Sequence, residues 1–312
     1  MIAPTHADVL EANARIRPHC RITPVLTSTT LDELAGCDLH LKCELFQKTG
    51  SFKYRGATNA VQKLAGDVAA RGVVTHSSGN HAQALALAAK VRGIAAHVVM
   101  PYTAAQVKKD AVLGYGGCVI ECEPTLAARA AAAAELVQRT GGTLIPPFDH
   151  ADVIAGQGTA AVELLAQVPN LDAIIVPVGG GGMIAGYCLA VQGLAPRVRL
   201  IGAEPELASD AAESLATGVR QQQKPPASIA DGLLTSLGDI PWPIIQRYVA
   251  AIHTVSEAEI LHAMRLVWER MKLLIEPSAA VGVAVALQRR FLGQRVGVVL
   301  CGGNVNLNSL SW

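Results

Sequence analysis

The chain has 312 residues, 51% of them hydrophobic and only 4% aromatic, with 26 Lys+Arg against 25 Asp+Glu and a net charge of +1. That length suggests two domains of about 150 residues each or one large α/β unit, ample for a core that needs neither disulfides nor a metal to hold it. The balanced charge, with no basic stripe, argues against a nucleic-acid surface, and the apolar content excludes intrinsic disorder.

In chain order, the opening MIAPTHADVLEANARI carries Asp8 and Glu11 where a signal peptide needs a basic start and an apolar core. The seven cysteines are therefore expected as reduced thiols in the cytoplasm. Short apolar runs predict strands at 39–43, 72–76, 96–100, 118–122, 173–178, 199–203 and 296–301. Alanine-rich or periodic segments predict helices at 52–64, 81–91, 125–139, 158–167, 183–192, 257–271 and 278–289. This alternation predicts parallel sheets flanked by helices, an α/β architecture. Cys118 and Cys122 have no Cys/His pair nearby at finger spacing, so zinc is not expected. The uncharged stretch 173–196 is punctuated by Pro177 and four consecutive glycines, which argues against a membrane span. QQQKPP, 221–226, reads as a local polar loop, and no repeat or linker marks a domain boundary.

Three strand-to-helix turns carry small polar or glycine residues: THSSGNH (75–81), VPVGGGGMIAG (176–186) and CGGNVN (301–306). In open α/β sheets ligands sit beyond the carboxyl ends of strands, against helix N-termini, so the three turns suggest one ligand held from several sides. Gly179, Gly180, Gly181 and Gly182 would let the backbone approach an anion, although a plain tight turn uses glycine too. No Lys-Ser/Thr follows, so this is not a Walker loop. Gly180-x-Gly182-x-x-Ala185, with Glu204 at the end of the next strand, also fits a dinucleotide fingerprint, which leaves a NAD-dependent dehydrogenase as a rival reading. In KTGSFKYRGA, 48–57, Lys53 falls just inside a predicted helix. A cation there is disfavoured by the helix field, which lowers an amine's pKa and suits it to act as base, nucleophile or Schiff-base former. On that segment alone it reads equally as an ordinary solvated lysine.

The four motifs together carry a resemblance. Ser51-Phe52-Lys53, Ser77-Ser78-Gly79-Asn80-His81, the four glycines and Cys301-Gly302-Gly303-Asn304 resemble the pyridoxal-phosphate enzymes of fold type II, in particular the serine racemase and serine/threonine dehydratase group. The likeness covers nearly the whole chain and extends to KCELFQKTGSFK, VIAGQGT and VWERMKLLIEP. It implies a tryptophan synthase β-like fold: a large cofactor domain from 1–62 and 151–312, a small domain from 63–150, and a mostly parallel twisted sheet in each. By the same resemblance Lys53 carries pyridoxal 5′-phosphate as a Schiff base, with Phe52 beside the ring. The four glycines and Met183 hold its phosphate, Asn80 bonds its 3′ oxygen, and Cys301 faces its pyridine nitrogen. Ser77, Asn80 and His81 would hold the substrate carboxylate, although Ser77, Ser78 and Asn80 are also good helix caps. Ser78 matches the opposite-face acid/base of racemases, and Arg129 an active-site arginine.

By the same resemblance Glu204, Ala208 and Asp210 match the divalent-metal site of the serine racemase group, suited to Mg²⁺, Ca²⁺ or Mn²⁺. The implied reaction is dehydration and deamination of a β-hydroxy amino acid such as L-serine or L-threonine, with serine racemisation beside it. A dedicated serine racemase, or a dehydratase for 3-hydroxyaspartate or phenylserine, is the alternative within the class. Ala82 and the Pro147-Phe148-Asp149 run lean towards dehydratases. With the sequence ending at Trp312, the regulatory domain of biosynthetic threonine dehydratases is not expected. A homodimer, and a nucleotide effector, follow from the resemblance only.

Overall fold

The structure, a computed structural model, describes residues 2–222, 225 and 227–307. Positions 223, 224 and 226 of the expected polar loop, and 308–312, lie outside the described residues. Among the described residues ten strands form two sheets. They are β1 (Val25–Leu26), β2 (Asp38–Cys43), β3 (Val73–His76), β4 (Ala96–Pro101), β5 (Cys118–Cys122), β6 (Thr143–Leu144), β7 (Ala173–Pro177), β8 (Arg199–Pro205), β9 (Val249–Val255) and β10 (Arg295–Leu300). The larger sheet runs β1-β2-β10-β7-β8-β9, parallel except for the β1–β2 pair, and the smaller runs β5-β4-β3-β6, wholly parallel.

All seven predicted strands form, with ends shifted by two residues at most. The central strands β7 and β10 are almost continuously buried, as an apolar strand covered by helices on both faces must be. β9 escaped the sequence reading because it is an edge strand whose middle residues are exposed or half-buried, so its apolar run is diluted. β1 and β6 are two residues each, too short to carry any period. The 173–196 stretch resolves into β7, the glycine turn and the helix Gly182–Leu194. No helix among the described residues is long and apolar enough to cross a membrane.

The helix predicted from 158 starts at Ala151 and runs to Gln167. Its glycines interrupt the sequence pattern but serve packing. A methyl on Gly158 would sit 2.6 Å from the carbonyl oxygen of Gly186, and one on Gly156 would sit 2.7 Å from Gly56 Cα. Two further helices, Lys53–Lys63 and Gly182–Leu194, therefore lie against it backbone to backbone. Arg55, two residues past Lys53, adds a buried ionic anchor: its guanidinium pairs with Glu44 at 2.7 Å and Glu163 at 2.7 Å, and Lys42 also reaches Glu163 at 2.7 Å. Two acids and two bases balance, so no buried charge is left alone. The Lys53–Lys63 helix also shares a core with the smaller sheet, where Ala57, Ala60 and Val61 meet Val73, Leu85 and Ile145. It thus sits where the two sheets meet.

Candidate active site

Lys53 is delivered by a tight turn. Thr49 and Gly50 both adopt left-handed backbone conformations, φ +62° and +73°. The turn is pinned by Gly303 N–H donating to Gly50 O at 2.9 Å and by Asn304 Nδ2 donating to Thr49 O at 2.7 Å. Ser51 bridges Gly302, Phe52 N–H donates to Cys301 O at 3.0 Å, and Lys53 opens its helix. Two motifs from opposite ends of the sequence are thereby zipped into one wall. The Lys53 side chain is half-buried, donates to Pro147 O at 2.9 Å, and lies 5.0 Å from the centre of the Phe52 ring. Burial pushes its amine down to about 8, against the opposing pull of Cys301 and Glu276 nearby.

The glycine turn closes a second side. β7 runs into Gly181, φ +83°, and the helix that Gly182 begins receives no side-chain cap. Its opening N–H groups, which have no acceptor inside the helix, are left for an anion. Side chains are excluded on this turn. A methyl on Gly180 would run into the Phe148 ring, one on Gly179 would sit 2.9 Å from Leu233 Cα, and one on Gly182 2.9 Å from Phe148 O. Phe148 thus covers the glycine turn, between Pro147, whose carbonyl holds Lys53, and Asp149, which accepts from the backbone of Asp239 and Ile240 at 3.1 and 2.9 Å.

The third side comes from the smaller sheet. Beyond β3, Ser77, Ser78 and Gly79 lead into the helix Asn80–Arg92, whose N-cap is Gly79, again with no side-chain cap. Ser77 Oγ accepts from Gly79 N–H at 3.3 Å, a local turn bond, so the serines do not close the helix end. His81 is buried and its Nε2 bonds Ile145 O at 3.0 Å. A carbonyl only accepts, so Nε2 carries the proton and Nδ1, buried without a partner, is a lone pair. Burial first, then the Lys53 charge, pushes this imidazole down to about 3. Its side chain has no proton to offer a carboxylate; only its backbone N–H, at the open helix end, has.

Cys301 is 2% exposed, directly follows β10, and burial pushes its thiol up, so it stays neutral. Arg129 stands in the first turn of the helix Leu126–Thr140, half-buried, with its Nε shielded from water and unpartnered. It lies near enough to His76, at the end of β3, to add to the downward push that burial exerts on that imidazole. Sequence reasoning gave no role to three groups of this site: the Pro147 carbonyl, Glu276, and Asn304, although Asn304 closes one of the four motifs. The first is backbone and leaves no sequence signal. Glu276, a lone acid in the apolar run KLLIEPSAAVGVAVAL, left a signal that was there to be read.

Glu204 sits at the carboxyl end of β8, 1% exposed. Its carboxylate accepts from Ala211 N–H at 3.2 Å and Ala212 N–H at 2.7 Å, at the start of the helix Asp210–Thr217. Burial, with Asp210 beside it, pushes it well up, and burial pushes Asp210 up to about 6. Each oxygen of Glu204 thus accepts one backbone N–H and keeps a further lone pair.

Residues 16–302 match the family model described as pyridoxal-phosphate dependent enzyme. The chain belongs to that family; it is a fold type II enzyme, and the dehydrogenase alternative falls. More particularly, it is 50% identical to the β-hydroxyaspartate dehydratase of Paracoccus denitrificans (strain Pd 1222), over 100% of both chains. Its structure is similar to serine racemase of Dictyostelium discoideum, with 48% identity, a TM-score of 0.94 and 97% and 99% of the two chains covered. It is also similar to the T.th. threonine deaminase, with 43% identity, a TM-score of 0.93 and 97% and 99% covered.

Proposed function

We propose that this enzyme removes water and then ammonia from a β-hydroxy amino acid, leaving a 2-oxo acid, with pyridoxal 5′-phosphate as cofactor and racemisation at Cα as a second outcome. One observation carries the reading: a half-buried lysine amine, pushed down to about 8, stands in the same site as an uncapped glycine cradle and a second uncapped helix start. These residues fit the cofactor. The cradle has no room for a Cβ at Gly179, Gly180 or Gly182 and offers open N–H groups to a phosphate. Lys53 would hold the aldehyde carbon, Phe52 and Met183 the flanks, Asn80 the 3′ oxygen and Cys301 the ring nitrogen. When bound, pyridoxal phosphate supplies an electron sink conjugated with the substrate's Cα.

The chain's own groups do the rest. Backbone N–H groups of the Ser77-to-His81 turn grip the α-carboxylate at the open helix end. Lys53 Nζ, steered by Pro147 O, takes the Cα proton, since an amine with a value of about 8 is substantially neutral in mild alkali. The Cys301 thiol stays protonated and adds no charge to the site. Ser78 Oγ supplies a proton to the opposite face, which inversion needs and elimination does not. The test is direct. The purified enzyme should be yellow and bleach with borohydride, and Lys53→Ala should lose the colour with both activities. A Lys53→Ala protein that turns over normally would sink the mechanism.

Among substrates, one observation favours 3-hydroxyaspartate over serine and threonine: Arg129 brings a buried, unpartnered Nε to the end of β3. A second carboxylate would satisfy that donor, and the dehydratase of Paracoccus denitrificans acts, by its name, on such a substrate. A panel of L- and D-serine, threonine, 3-hydroxyaspartate and phenylserine, scored for oxo acid and for enantiomer, decides it. Preference for serine would return the reading to a serine dehydratase or racemase.

Glu204 and Asp210, with the Ala208 carbonyl, would hold Mg²⁺, Ca²⁺ or Mn²⁺. Two buried carboxylates that the fold pushes towards protonation are relieved by a hard cation, and a site with two acids and a carbonyl leaves room for water ligands. The reading also takes the chain as a large cofactor unit, 1–62 and 151–312, and a small unit, 63–150, and as a cytoplasmic homodimer open to a nucleotide effector.

A further inference from the structure

Glu276 has no part in the chemistry above, yet it is 4% exposed and stands within electrostatic reach of both Lys53 and Cys301. It is the N-cap of the helix Pro277–Leu287, and its backbone N–H donates to Gly302 O at 3.1 Å. The amide of Asn80 donates to both of its oxygens, at 3.0 and 3.1 Å. On its other side Asn80 Oδ1 accepts from Asn304 Nδ2 at 2.8 Å, and the same Nδ2 donates to Thr49 O at 2.7 Å.

The two ends of this relay fix everything between them. A backbone carbonyl and a carboxylate can only accept. Asn304 must therefore turn its nitrogen towards Thr49, which leaves it donating to Asn80 as well. Asn80 must then present its oxygen to Asn304 and its nitrogen to Glu276. Flipping the Asn80 amide would set NH₂ against NH₂ on one side and oxygen against carboxylate on the other. The two N–H bonds of an amide diverge far more widely than the two oxygens of one carboxylate, so one N–H serves both oxygens and the other is left over.

We propose that Glu276 is a positioning residue: by receiving one N–H of Asn80 it presents the other to the cofactor's 3′ oxygen. This rests on the pyridoxal-phosphate reading above. Asn304 is the second half of the device. It lies at the exposed edge of the site, so the buried carboxylate is the firmer hold.

The hold is pH-dependent. Burial pushes Glu276 up to about 7, and Asp231 adds to the push. The Asn80 N–H, a backbone N–H of Asn304 and the charge of Lys108, which pairs with Asp231 at 3.1 Å, oppose it. Lys53 and Cys301 face it across the site. As the pH falls through neutrality one oxygen takes a proton and the grip on Asn80 slackens.

The experiment compares wild type, Glu276→Gln and Glu276→Ala in two measurements. One is the affinity of each apoenzyme for pyridoxal phosphate, followed by absorbance. The other is the visible spectrum of each holoenzyme between about pH 6 and 9, which brackets the shifted carboxyl. The wild-type spectrum should inflect near neutrality. Glu276→Gln, which keeps one acceptor but cannot titrate, should lose the inflection and keep its affinity within about threefold. Glu276→Ala should also lose about tenfold or more in affinity, the effect of leaving a buried amide N–H unpaired. It should lower kcat with little change in KM. A folded Glu276→Ala with wild-type affinity and inflection overturns the proposal; if that variant does not fold, an inflection persisting in Glu276→Gln does so. Wild-type protein that takes up no pyridoxal phosphate instead overturns the cofactor reading, a separate failure visible in the wild-type spectrum alone.

Discussion

His81 and Lys53 show how burial rather than sequence sets a side chain's chemistry. The His81 imidazole is neutral because water cannot reach it and because Lys53 is near, and its one N–H is spent on Ile145. Its folded value of about 3 lies below the ordinary 6.5, so the folded chain binds fewer protons than the unfolded chain between those limits. Stability from this group is complete above about 6.5 and is lost as the pH falls towards 3. Asp210 and Glu276 act in the opposite sense: their raised values make the fold bind more protons, so their contribution falls as the pH rises through about 6 and about 7. Comparing His81→Asn with wild type at each pH isolates the histidine. The apoprotein's melting temperature should drop less steeply from neutral to acid pH in the variant; equal slopes would show that His81 is not the acid-sensitive group.

At the level of elements, the site depends on how closely three helices approach. Gly158→Ala puts a methyl 2.6 Å from a backbone carbonyl that no rotamer change can move. It should destabilise the protein by about 1–3 kcal/mol, read from denaturant midpoints, and should lower activity by shifting the helix Gly182–Leu194, which opens at the glycine cradle. Arg55→Ala leaves Glu44 and Glu163 buried or half-buried beside Lys42 alone, and a loss of about 3–5 kcal/mol is expected. At the end of β8, the raised acids Glu204 and Asp210 predict a cation effect. Mg²⁺ should raise the melting temperature near neutral pH and have less effect at pH well below about 6, where Asp210 is protonated. Glu204→Ala should remove the effect together with any loss of activity on chelation. A wild-type protein indifferent to both Mg²⁺ and chelator would refute the metal site.

At the scale of the molecule, the site is assembled from both sheets. The larger supplies the Lys53 turn, the glycine cradle and Cys301; the smaller supplies the Ser77-to-His81 turn and Arg129. The proposed preference for 3-hydroxyaspartate is tested on the smaller sheet's side of the site. Arg129→Ala should raise KM for 3-hydroxyaspartate about tenfold or more, by removing a charge-assisted donor, while serine turnover changes little. Equal effects on both substrates would show that Arg129 serves the α-carboxylate or the fold instead.

Much of the architecture was legible because it rests on period and punctuation. Apolar runs such as AIIVPV and RVGVVL can be buried only as central strands, and the glycine run after the first can only end one. The short edge elements were not legible, because a half-exposed strand such as β9 carries no apolar run to find. The motifs at 48–53, 77–81, 179–182 and 301–304 could each be read as a turn, a cap or a ligand loop, and only their joint order pointed to one chemistry.

The sequence by itself determined the α/β class and the family, and pointed to the residues proposed to carry the reaction, because strand periodicity and four ordered motifs survive in one dimension. Only the tertiary structure decided which way the Asn80 amide faces, that His81 spends its one N–H on Ile145, that Pro147 holds the lysine and that Glu276 stands within electrostatic reach of it. Those facts depend on partners up to about 200 residues away in the chain and on where water is excluded, and neither distance through space nor desolvation is written in local residue order.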